Sequence, residues 1–349
     1  MTTAHYSMFQ RLNHIVKSPN RIEAFDFVRT MAALSIILTH FKIIETYGIG
    51  VDAFFVLSGF LVVKLLSRDM SAVNQRYFIG RFTKIIPSYF FFLIIAYLAG
   101  SLFFDEIYGT DLPILSEWKQ YFFFYRNYGG LPNRWAFEHV WALCVEEHFY
   151  LMLLFLSILS GLRSSFRKAV LFFSLAMIVF CVAAKTQAQF TSFAEYPTYT
   201  HNRLDAFGYG ALIYLFMDQI KRIAIFHHFF VASLSAILLL AMTQLDQSEH
   251  QLWLRTASPV LLSVILIYLM QFKFSKIFRI LAYYSYNAYL WHYFILIPIV
   301  FYWGYTWVGF VVYLGLTVVL AFLATHLVED FFINRRDQIF KLVFKNKAV

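Results

Sequence analysis

Charge is scarce in this chain. Asp, Glu, Lys and Arg make up 14% of its 349 residues, against about a quarter in a soluble domain. Cysteine is scarcer still: Cys144 and Cys181 each sit inside an apolar run. They offer no disulfide framework and no thiolate spacing for a metal. Fourteen glycines in 349 residues exclude a collagen-like repeat, and no low-complexity linker or internal repeat divides the chain. What fills the sequence is apolar. Hydrophobic residues reach 60% and aromatics 21%, and mean hydropathy is +0.62. That composition excludes a soluble enzyme and a disordered chain. The length allows about ten membrane crossings with short connections. The first 20 residues lack an apolar core followed by a small-residue cleavage site, so no cleaved signal peptide is expected.

Long apolar runs predict an all-α integral membrane protein with about ten transmembrane helices, near 27–47, 49–66, 85–104, 139–161, 168–186, 201–217, 224–243, 252–271, 281–302 and 305–329. With a cytoplasmic N-terminus, the inner segments carry 20 of the 29 Lys and Arg, and the outer ones carry Lys119, Arg126 and Arg134. This asymmetry predicts both termini inside. It also accounts for most of the formal charge of +9, so no nucleic-acid partner is expected. The expected organisation is a cytoplasmic segment 1–26, a membrane domain 27–329 and a basic cytoplasmic tail 330–349. The long outer loop 105–138 holds Gly129-Gly130 and an aromatic group running from Trp118 to Trp135. It could stack on a sugar face or form an interfacial belt.

Ionisable groups inside membrane spans are costly and therefore draw attention. Arg29 and His40 lie eleven residues apart, on one helical face and separated by about 16 Å along the axis. Arg29 then sits at the cytoplasmic boundary and His40 in the outer half. Asp52 opens the second segment, where the helix dipole favours a carboxylate. In the fourth, His139 and Glu146 are seven residues apart and share a face if helical. Glu146 is expected at the level of His40. The sixth begins with Arg203 and Asp205, which could satisfy one another. In the ninth, Ser285, Tyr289 and His292 form a stripe at spacings of four and three, again near His40. On the inner side, Arg81 and Lys84 would share one turn. Each has a plain structural reading: snorkelling anchors, helix caps, interhelical hydrogen bonds. No P-loop, GxSxG elbow, HExxH or GxGxxG is present.

Taken in order, these residues carry a signature. Arg29 and His40 frame FDFVRTMAALSIILTHF; Gly50–Phe60 reads GVDAFFVLSGF; Trp141 to Leu151 reads WALCVEEHFYL; Arg203 and Asp205 form RxD; Ser285 to His292 reads SYNAYLWH. The chain resembles the integral-membrane acyltransferase family 3, bacterial O-acyltransferases that decorate cell-surface glycans and some small molecules. Two positions depart from the family pattern. Lys84 stands where its cytoplasmic RxxR has a second Arg, and Ala142 replaces the Ser of its WSL. Lysine keeps the charge but loses the planar two-pronged fork.

The resemblance implies an acyl-CoA donor on the cytoplasmic side, with acetyl-CoA the family's commonest case and succinyl or longer acyl groups the alternatives. It implies a hydroxyl acceptor outside, expected on lipopolysaccharide O-antigen or an exopolysaccharide. It places the protein in the bacterial cytoplasmic (inner) membrane, in contact with the lipid bilayer. In that reading Arg29, Arg81 and Lys84 hold the CoA phosphates and His40 is the general base. Asp52 or Glu146 orients His40. Arg203, Asp205, Tyr289 and His292 serve the oxyanion or the acceptor. No metal is expected. The other classes to weigh are a proton-coupled exporter, since buried His, Glu and Asp also build relays, and a non-catalytic partner in polysaccharide assembly.

Overall fold

The computed structural model describes residues 8–17, 21–46, 48–67, 73–108, 112–128, 135–160, 163–188, 198–223, 225–244 and 247–343. Within them every regular element is helical. The first half holds α1 (Met8–Lys17), α2 (Glu23–His40), α3 (Ile49–Leu66), α4 (Val73–Phe103), the short α5 (Asp105–Tyr108) and α6 (Trp118–Phe122), α7 (Trp141–Ser160) and α8 (Arg163–Ala188). The second half holds α9 (Leu204–Leu215), the one-turn α10 (Met217–Ile220), α11 (Ile225–Thr243), α12 (Gln247–Leu269), α13 (Ile277–Trp303), α14 (Trp307–Ala324) and α15 (Asp330–Val343). Each of the ten apolar segments expected from sequence holds one of these helices.

Among the described residues, five stretches are long and apolar enough to cross a membrane: Ile49–Leu66, Ile79–Phe103, Phe137–Leu159, Phe166–Gln187 and Trp307–Arg336. This is a multi-pass membrane protein. Leu204–Leu215, His227–Thr243 and Leu254–Leu269 are apolar but shorter. Helices α2 and α13 have the length but not the apolarity. Glu23, Asp26 and Arg29 charge the first, and Tyr, Asn, Ser and His interrupt the second. These two helices also carry His40 and His292.

The outer surface inverts the soluble pattern. On α8, Phe172, Val179 and Phe180 are exposed, while Ser174, Met177 and Cys181 face inward. The centre of the bundle is α3, buried on nearly all sides. It crosses α9 at very close range. A Cβ on Gly59 would lie 2.1 Å from the Phe207 carbonyl oxygen, and one on Gly210 would lie 1.9 Å from that of Val56. Only glycine lets two helix backbones meet this closely. Helix α2 packs between α3 and α13, α13 against α14, and α8 against α9.

The loop expected on the outer side is part core and part surface: Phe122, Phe123 and Tyr128 are exposed, but others are not. Tyr121 is fully buried, the Tyr89 hydroxyl donates to its carbonyl at 3.1 Å, and Phe124 stacks on Tyr89 at 4.8 Å. Tyr89 lies fourteen residues inside the end of α4, about 21 Å along its axis. The loop therefore descends into the bundle. Irregular backbone is tolerated at that depth because protein covers it. The Tyr108 hydroxyl ties the loop's start to the Phe294 carbonyl. Tyr121 and Phe124 are thus packing groups, neither an open sugar platform nor a belt. Gly129-Gly130, Arg134 and the side chain of Trp135 lie outside the described residues.

At the far end, a π turn, Thr325–Glu329, joins α14 to α15 without a break. Asp330 there accepts from the Tyr283 hydroxyl at 2.5 Å and from His326 Nδ1 at 2.8 Å. The boundary expected between 329 and 330 therefore falls inside a continuous helix.

Candidate active site

Helix α2 ends at His40, and α13 brings His292 against it. His40 Nδ1 lies 2.9 Å from His292 Nε2, with the rings nearly parallel. The His292 Nδ1 lies 2.6 Å from the Tyr289 carbonyl oxygen one turn earlier on the same helix. A carbonyl only accepts, so that nitrogen carries the proton. His139 comes from the 3-10 segment Trp135–Val140. Its Nε2 donates to the Leu290 carbonyl at 2.9 Å, and its ring stands edge-on to His292. The Tyr289 hydroxyl donates to the His139 backbone carbonyl. His40, His139, Glu138, Trp141, Tyr289 and Tyr293 help line a cavity of about 140 Å³, where the Tyr293 hydroxyl donates to Glu138 at 3.3 Å.

Sequence spacing put Glu146 at the level of His40 as a candidate to orient it; among the described residues no bond joins the two. Because α7 begins only at Trp141, the 3-10 segment breaks the seven-residue register between His139 and Glu146. Glu146 instead accepts from Ser58 at 2.8 Å, and Ser58 accepts from Tyr150 at 3.2 Å. The Arg81 guanidinium lies over the Tyr150 ring at 3.8 Å. Glu146 thus connects through Ser58 and Tyr150 towards Arg81.

Asp52 is not bonded to His40 either. Its two oxygens accept from Arg203 at 2.8 Å and from Ser258 at 2.6 Å, all within the buried interior. Arg203 also lies over the ring of the cavity wall residue Trp141, at 5.3 Å. Asp205 does not pair with its neighbour Arg203. It accepts from Lys185 at 2.6 Å, and Lys185 also donates to the Arg255 carbonyl at 3.0 Å. Two buried ion pairs therefore tie α3 to the start of α9, and α8 to α9 and α12. Tyr289 spends its hydroxyl proton on His139, and His292 spends its ring nitrogens on His40 and Tyr289. Both support the cavity from behind rather than presenting donors to it.

Arg29, Arg81 and Lys84 do come together. They share one electrostatic neighbourhood with Arg21, Asp26 and Glu329. Glu147 also faces Arg81, and four cations against three carboxylates leave that layer, expected on the inner side, positive and suited to an anion. Below it, the Arg279 guanidinium bonds Glu23 at 2.7 Å and the Val16 carbonyl at 2.7 Å. The bond from the Phe274 amide, and then Arg279, hold the Glu23 carboxyl below the ordinary carboxylate range against the opposing effect of burial.

Glu138 and Tyr293 were not singled out from sequence. Each sits next to a histidine that was, but adjacency on a helix points side chains apart, and no spacing marks them. Among the described residues, no three His, Cys, Asp or Glu side chains converge as a metal site.

A family model described as an acyltransferase domain matches residues 22–326. Three curated relatives align over part of the chain. The peptidoglycan O-acetyltransferase OatA of Listeria monocytogenes is 27% identical over 146 residues, 38% of this chain and 23% of its own. The putative peptidoglycan O-acetyltransferase YrhL of Bacillus subtilis is 26% identical over 152 residues, 40% and 24%. The O-acetyltransferase OatA of Staphylococcus aureus is 26% identical over 166 residues, 41% and 26%. The alignments thus span about a quarter of each relative's length. No solved structure matches the chain.

Proposed function

The chain belongs to this acyltransferase family, and from that premise we propose that it is a membrane O-acetyltransferase with His40 as general base. The donor is acetyl-CoA from the cytoplasmic side, and the acceptor is a hydroxyl of a cell-envelope glycan on the other. Both chain termini face the cytoplasm, and the helices cross the bacterial cytoplasmic membrane ten times. The relatives' names bring peptidoglycan forward as acceptor, ahead of lipopolysaccharide O-antigen or exopolysaccharide.

One observation carries this reading: α2 is an unbroken helix with Arg29 in the basic layer and His40 at the cavity. The axial distance is about 16 Å, and a pantetheine arm has roughly the reach of five extended residues, about 16–18 Å. Arg29, Arg81 and Lys84 hold the CoA phosphates while the thioester reaches His40. His40 takes the acceptor's hydroxyl proton as the new C–O bond forms. The C–S bond breaks, and the CoA thiolate leaves with the proton that His40 returns. Glu138 and Tyr293 offer an acceptor and a donor to other hydroxyls of the glycan. The chemistry is acid–base throughout.

Purified protein in vesicles is given labelled acetyl-CoA outside and, in parallel, peptidoglycan fragments, lipopolysaccharide or exopolysaccharide inside. The expected result is alkali-labile label on one glycan, absent with His40→Ala. Label that moves across without becoming an ester indicates a transporter. No label on any glycan, from a folded protein, overturns the reading.

A further inference from the structure

We infer that His292 is the positioning residue of the base. Through Nε2 it fixes His40 as the tautomer protonated on Nδ1, so that Nε2 of His40 holds the free electron pair. This rests on the acetyltransferase reading and assigns within it the part that Asp52 and Glu146 do not play.

The argument is one of proton count. The Tyr289 carbonyl oxygen, 2.6 Å from His292 Nδ1, cannot donate, so Nδ1 of His292 is N–H. A neutral His292 then has a bare Nε2. The bond of 2.9 Å to His40 must be donated by Nδ1 of His40. One neutral imidazole carries one proton, so His40 Nε2 is bare and belongs to the cavity that the ring lines. The competing arrangement makes His292 a cation that donates from both nitrogens, which would leave the His40 proton on Nε2 and abolish the base. His292 is 0% exposed. Among the described residues, no carboxylate bonds to it. A buried, unpaired imidazolium is strongly disfavoured. Backbone holds the far end of the relay, because Tyr289 and His292 are one turn apart on α13, and Tyr289 is itself anchored to His139.

The relay serves the reaction twice. At rest it sets the tautomer. When His40 accepts the acceptor's proton on Nε2, the Nδ1–H bond to His292 shares the positive charge that develops. A triad gives that work to a carboxylate; here an imidazole does it, so the resting site carries no extra buried charge.

Full-length protein with ¹⁵N-labelled histidine, read by solid-state NMR in vesicles and assigned by difference against His40→Ala, reports the tautomer directly. The expected spectrum shows His40 with a protonated Nδ1 and a bare Nε2. Kinetics give the second reading. His292→Leu should lower kcat by about 10²–10⁴-fold with the KM for acetyl-CoA within about twofold. His292→Gln, whose amide oxygen can accept from His40 Nδ1, should recover part of the loss. A His40 protonated on Nε2 overturns the inference, as does wild-type kcat in His292→Leu. If His292→Leu does not fold, the wild-type spectrum and the Gln variant decide. If the wild-type protein acetylates nothing, the functional reading fails on its own, while the spectrum still judges the relay.

Discussion

Replacing Asp52 by Ala strips Arg203 of its carboxylate in the interior. Breaking a buried pair by removing one partner costs about 3–5 kcal/mol, because the remaining charge is left uncompensated. Asp52→Ala should therefore melt well below wild type in detergent, and Arg203, freed from Asp52, should disturb Trp141 and the cavity wall. His40→Ala removes a ring whose one bond among the described residues is to His292, and it should melt close to wild type with acyl transfer abolished. Comparing the two melting curves with the two activities separates a wall residue from a base. Outside the membrane, Glu23 gives a pH signature. Its pKa is lowered in the folded state, so it contributes stability above the unfolded value, and this is lost as pH falls through the folded one. Glu23→Gln should be less stable than wild type at neutral pH, with the gap closing below the ordinary carboxylate range, as a melting series against pH will read. Sequence marked Asp52 and Arg203 as polar intruders, but partner choice depends on which helices cross. The neighbours Arg203 and Asp205 bond to different helices for that reason.

At the scale of elements, the α3–α9 crossing is the tightest joint described. Gly59→Val or Gly210→Val drives side-chain carbon into a helix carbonyl, and overpacking of this kind costs about 1–3 kcal/mol. Because Asp52 and Arg203 sit on these same two helices, either variant should lose activity together with stability, measured by thermal unfolding and acetyl transfer in parallel. Helix α4 provides the contrasting case. Arg81→Ala with Lys84→Ala removes two of the inner cations without touching the crossing. It should raise the KM for acetyl-CoA several-fold and also lower the melting temperature, because Tyr150 loses its stacked guanidinium and Glu329 a nearby cation; titration with donor isolates the phosphate grip. Hydropathy made the helices legible, and their ends were the harder part. The 3-10 segment Trp135–Val140 runs directly into α7 with no proline or glycine between them, and no residue type marks where the pitch changes between His139 and Glu146. The descent of the aromatic loop was equally hidden. Its aromatics suit an interface and a core alike, and only the fit against Tyr89 marks Tyr121 and Phe124 as core while Phe122, Phe123 and Tyr128 stay exposed.

For the whole molecule, the proposed orientation rests on the asymmetric placement of Lys and Arg. Cys144 and Cys181 are both buried, so native thiols should stay silent to a membrane-impermeant maleimide. In intact cells, Lys119→Cys in the outer loop should label at once, and Lys276→Cys before α13 should label only after permeabilisation. Labelling of Lys276→Cys in intact cells reverses the topology. The all-helical architecture and the inner basic layer were legible because both follow from one-dimensional properties: apolar run length and charge spacing. The histidine pair was only half legible. Its members were marked as polar residues at a common depth, but their bond joins positions 252 apart, and no local pattern encodes that contact. That separation also sets an order of events during synthesis. The base appears with α2, near the start of translation, but the imidazole that fixes its proton arrives only when α13 has been made and inserted. In the proposed mechanism every shorter nascent chain lacks the relay, so full acyl transfer waits until the bundle is nearly complete.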